Sequence, residues 1–164
     1  MCEELVVVDT CVVIDFCGRT DNLDLLMAYL GDRGVVTTAV RGELEYRCRK
    51  TFPILKSFLD IVDSGQVATI DPDLADATAG RILSMWSKVF GAGEVSSGAL
   101  AASRHWILLS ADREPMQQFS LREVIMLKST GDVLAWLVRR KRIAKRQADG
   151  VRSAIKAAST QRRR

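Results

Sequence analysis

The sequence predicts an α/β fold in which helices cover both faces of a central, mostly parallel sheet of about five strands, a three-layer α/β/α sandwich. Five short apolar runs recur along the chain, and the first, at 4–9, shows no polar alternation. A run of this kind is typical of a strand buried on both faces. Helix-like sequence separates the runs, which is the order expected of right-handed βαβ units.

The predicted strands are short and rich in valine, leucine and isoleucine. They lie at 4–9, 34–38, 66–70, 106–110 and 124–127. In open parallel sheets, ligand sites form outside the carboxyl ends of the strands. Side chains that immediately follow these runs are therefore the first candidates for chemistry.

The segments between the strands carry helical patterns. Apolar residues within 55–62 follow the i, i+3, i+4, i+7 spacing of an amphipathic helix. Asp71-Pro72 predicts the cap and first turn of a further helix, whose apolar face includes Leu74 and Val89 and which the glycines of 91–93 end. Small residues predict a closely packed helix at 94–104, and an apolar stripe at 133–138 predicts a last helix before a basic segment.

Length and composition favour one domain. The chain has 164 residues, 48% of them hydrophobic and 27% charged, as in ordinary globular domains. We expect a single domain over 1–157 and a basic, frayed tail at 158–164. No apolar run approaches the roughly 20 residues that span a membrane, and the charged start is unlike a secretory signal. A cytoplasmic protein without a membrane partner is expected.

The charge is unevenly distributed. The net charge is +4, but residues 139–164 contain eleven Lys or Arg and one Asp, so the rest of the chain is acidic. The residues Arg139, Arg140, Lys141 and Arg142 begin this segment. They are candidates to contact RNA phosphates, where counterion release strengthens binding, or an acidic partner. A solvated helix face is the third interpretation.

The histidine and cysteine content excludes several kinds of site. The one histidine, His105, cannot complete a zinc set with four cysteines that lack CxxC spacing. A histidine-based nucleophile pair is nearly excluded, and His105 is expected at a helix end. The cysteines are expected to be small apolar residues in a reducing compartment. Chemistry must therefore use carboxylates, hydroxyls or metals.

Four acids are placed where the sheet would bring them together. Asp9 ends the first strand, and Asp112 lies just past the strand at 106–110. Glu43 lies near the start of the helix after the second strand, and Glu94 begins a helix after a glycine turn. Clustered carboxylates raise one another's pKa values, whereas Mg²⁺ or Mn²⁺ stabilises them. We expect one or two such ions, which activate water against a phosphodiester.

Two hydroxyls and two further acids lie close to these positions. Thr10 and Ser110 are expected to orient a carboxylate or to contact a metal-bound water. Asp15 lies past the first turn and competes weakly for the metal. Glu45 projects about 200° around the helix from Glu43, so both cannot point inward.

Each acid also has a structural interpretation. Asp9 is able to bond the turn that follows it, and Asp112 to cap the helix that opens near Pro115. Glu94 would be favourable in a first helical turn through the dipole, and Glu43 would simply be solvated. All four acids are expected at the carboxyl ends of the strands, and this shared position favours the functional interpretation.

The segments around the four acids resemble the PIN-domain family. They are 8–15, 38–46, 93–102 and 109–113. The resemblance extends over about residues 4–140, and Gly93-Glu94 is similar to the subgroup with Gly-Glu at the third acidic position, which includes VapC-like toxins. It implies a Mg²⁺- or Mn²⁺-dependent endoribonuclease with Asp9, Glu43, Glu94 and Asp112 as catalytic and metal-binding residues.

The resemblance also implies partners. Many bacterial and archaeal PIN proteins are toxins of toxin–antitoxin pairs, inhibited by a small antitoxin and often dimeric, so an RNA substrate, an antitoxin and a homodimer are expected. Two departures stand out. Ala111 lies where close relatives often carry a second acid, and Glu94 is longer than the common aspartate, so weaker metal affinity is expected.

Two other functions fit the same pattern. The first is a non-catalytic PIN-like module that binds RNA or a protein. The second is a magnesium-dependent phosphatase or a receiver-like protein, which also gathers acids at strand ends. A receiver needs a late lysine, for which Lys128 is the candidate, and no DxDxT/V motif supports a phosphatase.

Overall fold

The computed structural model describes residues 4–161, and its centre is a sheet of five parallel strands. The strands are β1 (Val6–Val8), β2 (Gly34–Val36), β3 (Ala68–Thr69), β4 (Ile107–Leu109) and β5 (Leu127–Lys128). All four pairings are parallel. β1 lies in the middle and its three valines are completely buried, as its unbroken apolar run predicts.

The strands are arranged in the order β3-β2-β1-β4-β5. Receiver-like proteins have the order 2-1-3-4-5, so the receiver alternative is wrong. The direction of the winding reverses between β1 and β4, because β2 and β3 lie on one side of β1 and β4 and β5 on the other. Ligand sites in open parallel sheets form at this point, outside the carboxyl ends of the strands.

Helices cover both faces of the sheet. The helices of the described residues are α1 (Thr10–Val13), α2 (Leu23–Leu30), α3 (Thr38–Lys50), α4 (Lys56–Asp63), α5 (Ala77–Trp86), α6 (Ala92–Arg104), α7 (Glu114–Glu123), α8 (Thr130–Arg139) and α9 (Lys145–Gln161). A π-helical segment, Ile14–Arg19, follows α1, and a 3-10 turn, Pro53–Leu55, precedes α4.

Two apolar clusters form the core, one on each face of the sheet. Val6 and Val8 belong to the first cluster and Val7 to the second, because successive side chains of a strand point to opposite faces. The first cluster includes residues of α1–α4, α8 and α9, and the second includes residues of α5–α7. The three-layer α/β/α architecture is therefore confirmed.

The helix predicted to open at Asp71 begins later. α5 starts at Ala77, and its cap is Asp76, whose side chain accepts a hydrogen bond from the backbone N–H of Ala79 at 2.9 Å. Asp71 instead accepts hydrogen bonds from the backbone N–H and the hydroxyl of Thr38, at 2.8 and 2.6 Å. A tertiary contact with the start of α3 thus replaces the local cap. Leu74 and Val89, predicted on the apolar face, are exposed.

Boundaries near the end of the chain also differ from the prediction. The last strand begins at Leu127, because Val124 ends α7 in the left-handed region with φ 57°. α9 continues past residue 157 to Gln161, while residues 162–164 of the predicted tail lie outside the described residues. His105 closes α6 with φ 55°, which confirms its expected place at a helix end. Within 4–161, no helix is long and apolar enough to cross a bilayer.

Candidate active site

Asp9 lies immediately after β1, at the point where the strand order reverses. Its extended backbone makes it the cap of α1, and its Oδ1 accepts a 2.7 Å hydrogen bond from the backbone N–H of Thr10. Its Oδ2 accepts a 2.6 Å hydrogen bond from the hydroxyl of Ser110, the first residue after β4, and a 3.3 Å contact from the thiol of Cys11. Neighbouring strand ends therefore fix both oxygens of this carboxylate.

The carboxylate of Asp9 is electrostatically strained. The side chain is 1% exposed, and burial raises its pKa from 3.8 to about 6, with the charge of Glu94 adding to the rise and the Ser110 hydrogen bond opposing it. Burial and the charge of Asp9 also raise the pKa of the Cys11 thiol well above its usual value, so Cys11 stays protonated. A buried acid of this kind is stabilised by any positive charge that approaches it.

Glu43 projects from α3 toward the same region. Its Oε2 accepts a 2.6 Å hydrogen bond from the Thr10 hydroxyl, and its Oε1 accepts a 2.9 Å hydrogen bond from the backbone N–H of Gly93. The approach to Gly93 is so close that a Cβ there would lie 2.6 Å from Oε2. Glu45 points away and pairs with Arg41 at 3.1 Å. Of the two competing glutamates, Glu43 is the one that faces the site.

Glu94 lies in the first turn of α6 and forms an ion pair with Arg113. The guanidinium of Arg113 also lies 5.4 Å from the centre of the Phe90 ring. Arg113 is the N-cap residue of α7, so this ion pair joins the loop after β4 to the start of α6. The negative charge of Glu94 raises the pKa of Asp9, and Arg113 already neutralises that charge.

Three of the four predicted acids line one cleft of about 600 Å³: Asp9, Glu43 and Glu94. The fourth, Asp112, does not line it. Its carboxylate is exposed and accepts a 2.5 Å hydrogen bond from the side-chain amide of Gln117. Asp112 is not the helix cap either, because Arg113 occupies that position.

Asp15 is held outside the cleft lining by two partners. Arg19 pairs with its Oδ1 at 2.6 Å, and the hydroxyl of Thr130 donates to its Oδ2 at 3.0 Å. Burial raises the pKa of Asp15, and the charge of Arg19 opposes the rise. The side chain therefore connects the π-helical segment to the start of α8.

Sequence reasoning named four residues of the cleft lining and missed seven: Cys11, Ile14, Arg19, Gly42, Tyr46, Arg47 and Gly91. Arg47 follows Glu43 by four residues on α3, and residues at this spacing share a helix face, so the sequence contained a signal for it. Arg19 had none, because a π-helical segment has a different repeat from an α-helix. Arg47 places positive charge at the rim of an acidic cleft, whereas Arg19 is paired with Asp15.

The basic residues 139–142 lie at the amino ends of the strands, on the opposite side of the domain from the acid cleft. Arg140 and Arg142 line a second cleft, of about 510 Å³, together with residues 28–33, which precede β2. The Arg140 guanidinium lies 5.7 Å from the centre of the Trp136 ring. The acid cleft follows the carboxyl ends of the strands, whereas this cleft lies at their amino ends. The four basic residues therefore do not border the acids.

The donors around the acid cleft suit a hard divalent cation, which prefers carboxylate oxygens. As they stand, however, each carboxylate is satisfied by a protein group, and no three His, Cys, Asp or Glu side chains within 4–161 are arranged to hold one ion. Binding therefore requires rearrangement. Glu94 would hold an ion only in place of its ion pair with Arg113.

No family model and no curated protein matches this sequence. A solved structure does: a chain in the crystal structure of VapBC2 from Rickettsia felis bound to a DNA fragment from their promoter superposes with a TM-score of 0.56 and 14% sequence identity. The similarity covers 76% of this chain and 98% of that one. Together with the five-stranded parallel sheet, it shows that this chain has a PIN-like fold.

Proposed function

We propose that this protein is a Mg²⁺- or Mn²⁺-dependent endoribonuclease that hydrolyses RNA phosphodiester bonds in the acid cleft. The observation that carries the proposal is the placement of Asp9. This acid is completely buried at the reversal of the strand order and shares one cleft with Glu43 and Glu94. A buried carboxylate with a pKa of about 6 lacks a neighbouring cation, which a divalent ion supplies.

Asp9, Glu43 and Glu94 would hold one or two ions, and Asp112 would join them by giving up its hydrogen bond with Gln117. A bound ion would supply Lewis-acid stabilisation of phosphodiester hydrolysis. The chain's own residues set the positions of the ligands. Ser110 and the backbone N–H of Thr10 orient Asp9, while the Thr10 hydroxyl and Gly93 orient Glu43.

The arginines of the cleft support an anionic substrate. Arg19 and Arg47 line the cleft together with the acids. A phosphodiester that enters would meet the positive charge of Arg47, and that of Arg19 in exchange for Asp15. Guanidinium groups bind phosphate oxygens with paired hydrogen bonds. Trp86 and Trp136 are not expected to stack on bases, because Trp86 packs between Phe90 and Phe119 and Trp136 against Tyr29. Tyr46 is exposed and lines the cleft, so its ring is able to stack on a base.

The test is cleavage of single-stranded RNA with Mg²⁺, with Mn²⁺ and with excess EDTA. Asp9→Asn is expected to keep its circular dichroism spectrum and to lose cleavage by a hundredfold or more. Glu43→Gln has a matched control in Glu45→Gln, which changes the same residue type on the outer side of the same helix. Full activity in Asp9→Asn, or in EDTA, would overturn the proposal.

The alternative is a non-catalytic PIN-like module that binds RNA or a protein. One observation favours it: within 4–161 the acids are paired with protein groups and do not form a ready set of three ligands. The two functions differ in single-turnover assays with enzyme in excess over labelled RNA. Saturable RNA binding without cleavage over a range of Mn²⁺ concentrations would support the module.

We propose further that the ribonuclease is the toxin of a toxin–antitoxin pair and forms a homodimer. The similarity to a chain of the VapBC2 complex supports this role. Induced expression in a bacterium is expected to arrest growth, and Asp9→Asn to relieve the arrest. Size-exclusion chromatography with light scattering measures the dimer. Normal growth with abundant, active protein would contradict the toxin role and leave the nuclease activity standing.

A further inference from the structure

The exposed face of α9 is strongly basic. Lys145, Arg152 and Lys156 are spaced by seven and four residues, which places them on one face of the helix, and all three are exposed. The packed face is equally well defined. Ala148 and Val151 are buried in the first core cluster, and Ile155 packs against it. Core packing therefore fixes which side of α9 presents its charges to solvent.

Little on α9 neutralises this charge. The one acid of the helix, Asp149, pairs with Arg152 at 3.0 Å. Because both side chains are about half exposed, this ion pair contributes little stability. Arg146 adds a further exposed cation at the start of the helix. From Lys145 to Lys156 the positive charge extends over about 16 Å of this helix.

α9 ends beside the acid cleft. The hydroxyl of Ser159 accepts a 3.2 Å hydrogen bond from the guanidinium of Arg19, which itself lines the cleft. The helix begins just after residues 139–142, at the amino edge of the sheet. It therefore crosses the side of the domain from the second cleft to the rim of the acid cleft, where Arg19 lies in its ion pair with Asp15.

We propose that the basic face of α9 binds the phosphate backbone of single-stranded RNA and leads the strand across Arg19 into the acid cleft. This inference rests on the proposed function, because it names the surface by which that site holds its substrate. The cleft itself is acidic, so affinity for a polyanion has to come from a neighbouring surface.

The composition of this face favours a nucleic acid over a protein partner. Stable protein interfaces have an apolar core with large side chains. The large apolar side chains that are exposed within 4–161 lie on other elements, none of them on α9. The basic residues 139–142 lie only at the amino ends of the strands, away from the acids, whereas α9 continues from there to the rim of the acid cleft.

The experiment measures RNA binding in EDTA by fluorescence anisotropy, so that neither metal nor cleavage contributes. The α9 variant is Lys145→Gln, Arg152→Gln and Lys156→Gln in one chain. The matched control, Arg139→Gln, Arg140→Gln and Arg142→Gln, removes the same charge at the amino edge. Glutamine is a good helix former, and thermal melting verifies that both variants fold.

The α9 variant is expected to bind RNA at least tenfold more weakly at moderate salt, with a slope of log K against log salt reduced by about two. The control is expected to stay within twofold of the wild type. Equal affinity of the α9 variant and the wild type, or an equal loss in the control, would overturn the inference. An α9 variant that keeps RNA affinity but loses affinity for polyglutamate would overturn it in favour of an acidic protein partner.

These outcomes are separable from the proposed function. Wild-type protein that binds RNA through α9 but never cleaves it would contradict the nuclease activity and support the binding surface. The wild type and the α9 variant could also bind RNA equally well and cleave it equally well with Mn²⁺. That result would contradict RNA binding by α9 and leave the nuclease activity standing.

Discussion

The hydroxyl of Ser110 donates a 2.6 Å hydrogen bond to Oδ2 of Asp9 and so joins the carboxyl ends of β4 and β1. Both residues are buried, and they meet where the strand order reverses. A buried carboxylate needs donors to remain charged, and Ser110 is its strongest side-chain donor. This bond therefore both orients Asp9 and opposes the rise of its pKa.

Ser110→Ala is expected to destabilise the metal-free protein at pH 8 by about 1–3 kcal/mol, because a buried acceptor loses its donor. The pKa of Asp9 is expected to rise further. Urea unfolding measures the first effect. Ser103→Ala is the matched control, since Ser103 donates only to a carbonyl of its own helix at 3.2 Å. A loss in Ser110→Ala no larger than in the control would contradict this role.

The stability of the metal-free protein is expected to fall as the pH rises from 5 to 8. Burial raises the pKa of Asp9 from 3.8 to about 6, so between these values the folded protein binds a proton that the unfolded chain releases. The contribution is present below pH 4 and lost as the pH rises through 6, and a shift of about two units corresponds to about 3 kcal/mol.

Asp9→Asn is expected to remove this pH dependence and to be more stable than the wild type at pH 8. Urea unfolding in EDTA at pH 5 and pH 8 measures the free energy of unfolding of both proteins. The contributions of the other titrating groups cancel in the difference between the two proteins. A difference between the two proteins that does not change with pH would show that Asp9 titrates normally.

Gly93→Ala is expected to displace Glu43, because the new Cβ would lie 2.6 Å from its Oε2. Overpacking of this kind costs about 1–3 kcal/mol, and Mn²⁺ affinity is expected to fall. Gly150→Ala provides the comparison, since its Cβ meets nothing within 4 Å and alanine favours a helix. Unchanged Mn²⁺ affinity in Gly93→Ala would show that Glu43 is not a metal ligand.

Arg113→Ala is expected to tighten Mn²⁺ binding severalfold, because the ion no longer competes with the guanidinium for Glu94. Isothermal titration calorimetry gives the affinity. Arg122→Ala removes an arginine from the same helix, 5.6 Å from the centre of the Trp86 ring and outside the cleft lining, and is expected to leave the affinity unchanged. Weaker binding in Arg113→Ala would mean that this arginine helps to assemble the site.

The fold was predictable because the three central strands, β2, β1 and β4, are buried on both faces and are apolar throughout. The position of Asp9 followed from the same pattern, since an acid that ends a central parallel strand must lie at the carboxyl edge. The choice of Glu43 over Glu45 was also predictable, because helical geometry allows only one of them to face Val40 and Leu44, both completely buried.

Other features depended on contacts that no local pattern contains. The start of α5 at Ala77 reflects the hydrogen bonds of Asp71 to Thr38, which lies 33 residues earlier. The pairing of Glu94 with Arg113 joins the first turn of α6 to the loop after β4, and Asp112 turns to Gln117 within its own segment. The position of the basic segment depended on the lengths and directions of α8 and α9. These helices place residues 139–142 at the amino ends of the strands and Ser159 near their carboxyl ends.

Calorimetric titration of the purified protein with Mn²⁺ at pH 7.5 tests the central claim most directly. The wild type and Glu45→Gln are expected to bind Mn²⁺ saturably with equal affinity, while Asp9→Asn, with an unchanged circular dichroism spectrum, binds at least a hundredfold more weakly. Saturable binding of equal strength in Asp9→Asn, or no saturable binding in the wild type, would contradict a metal centre at Asp9.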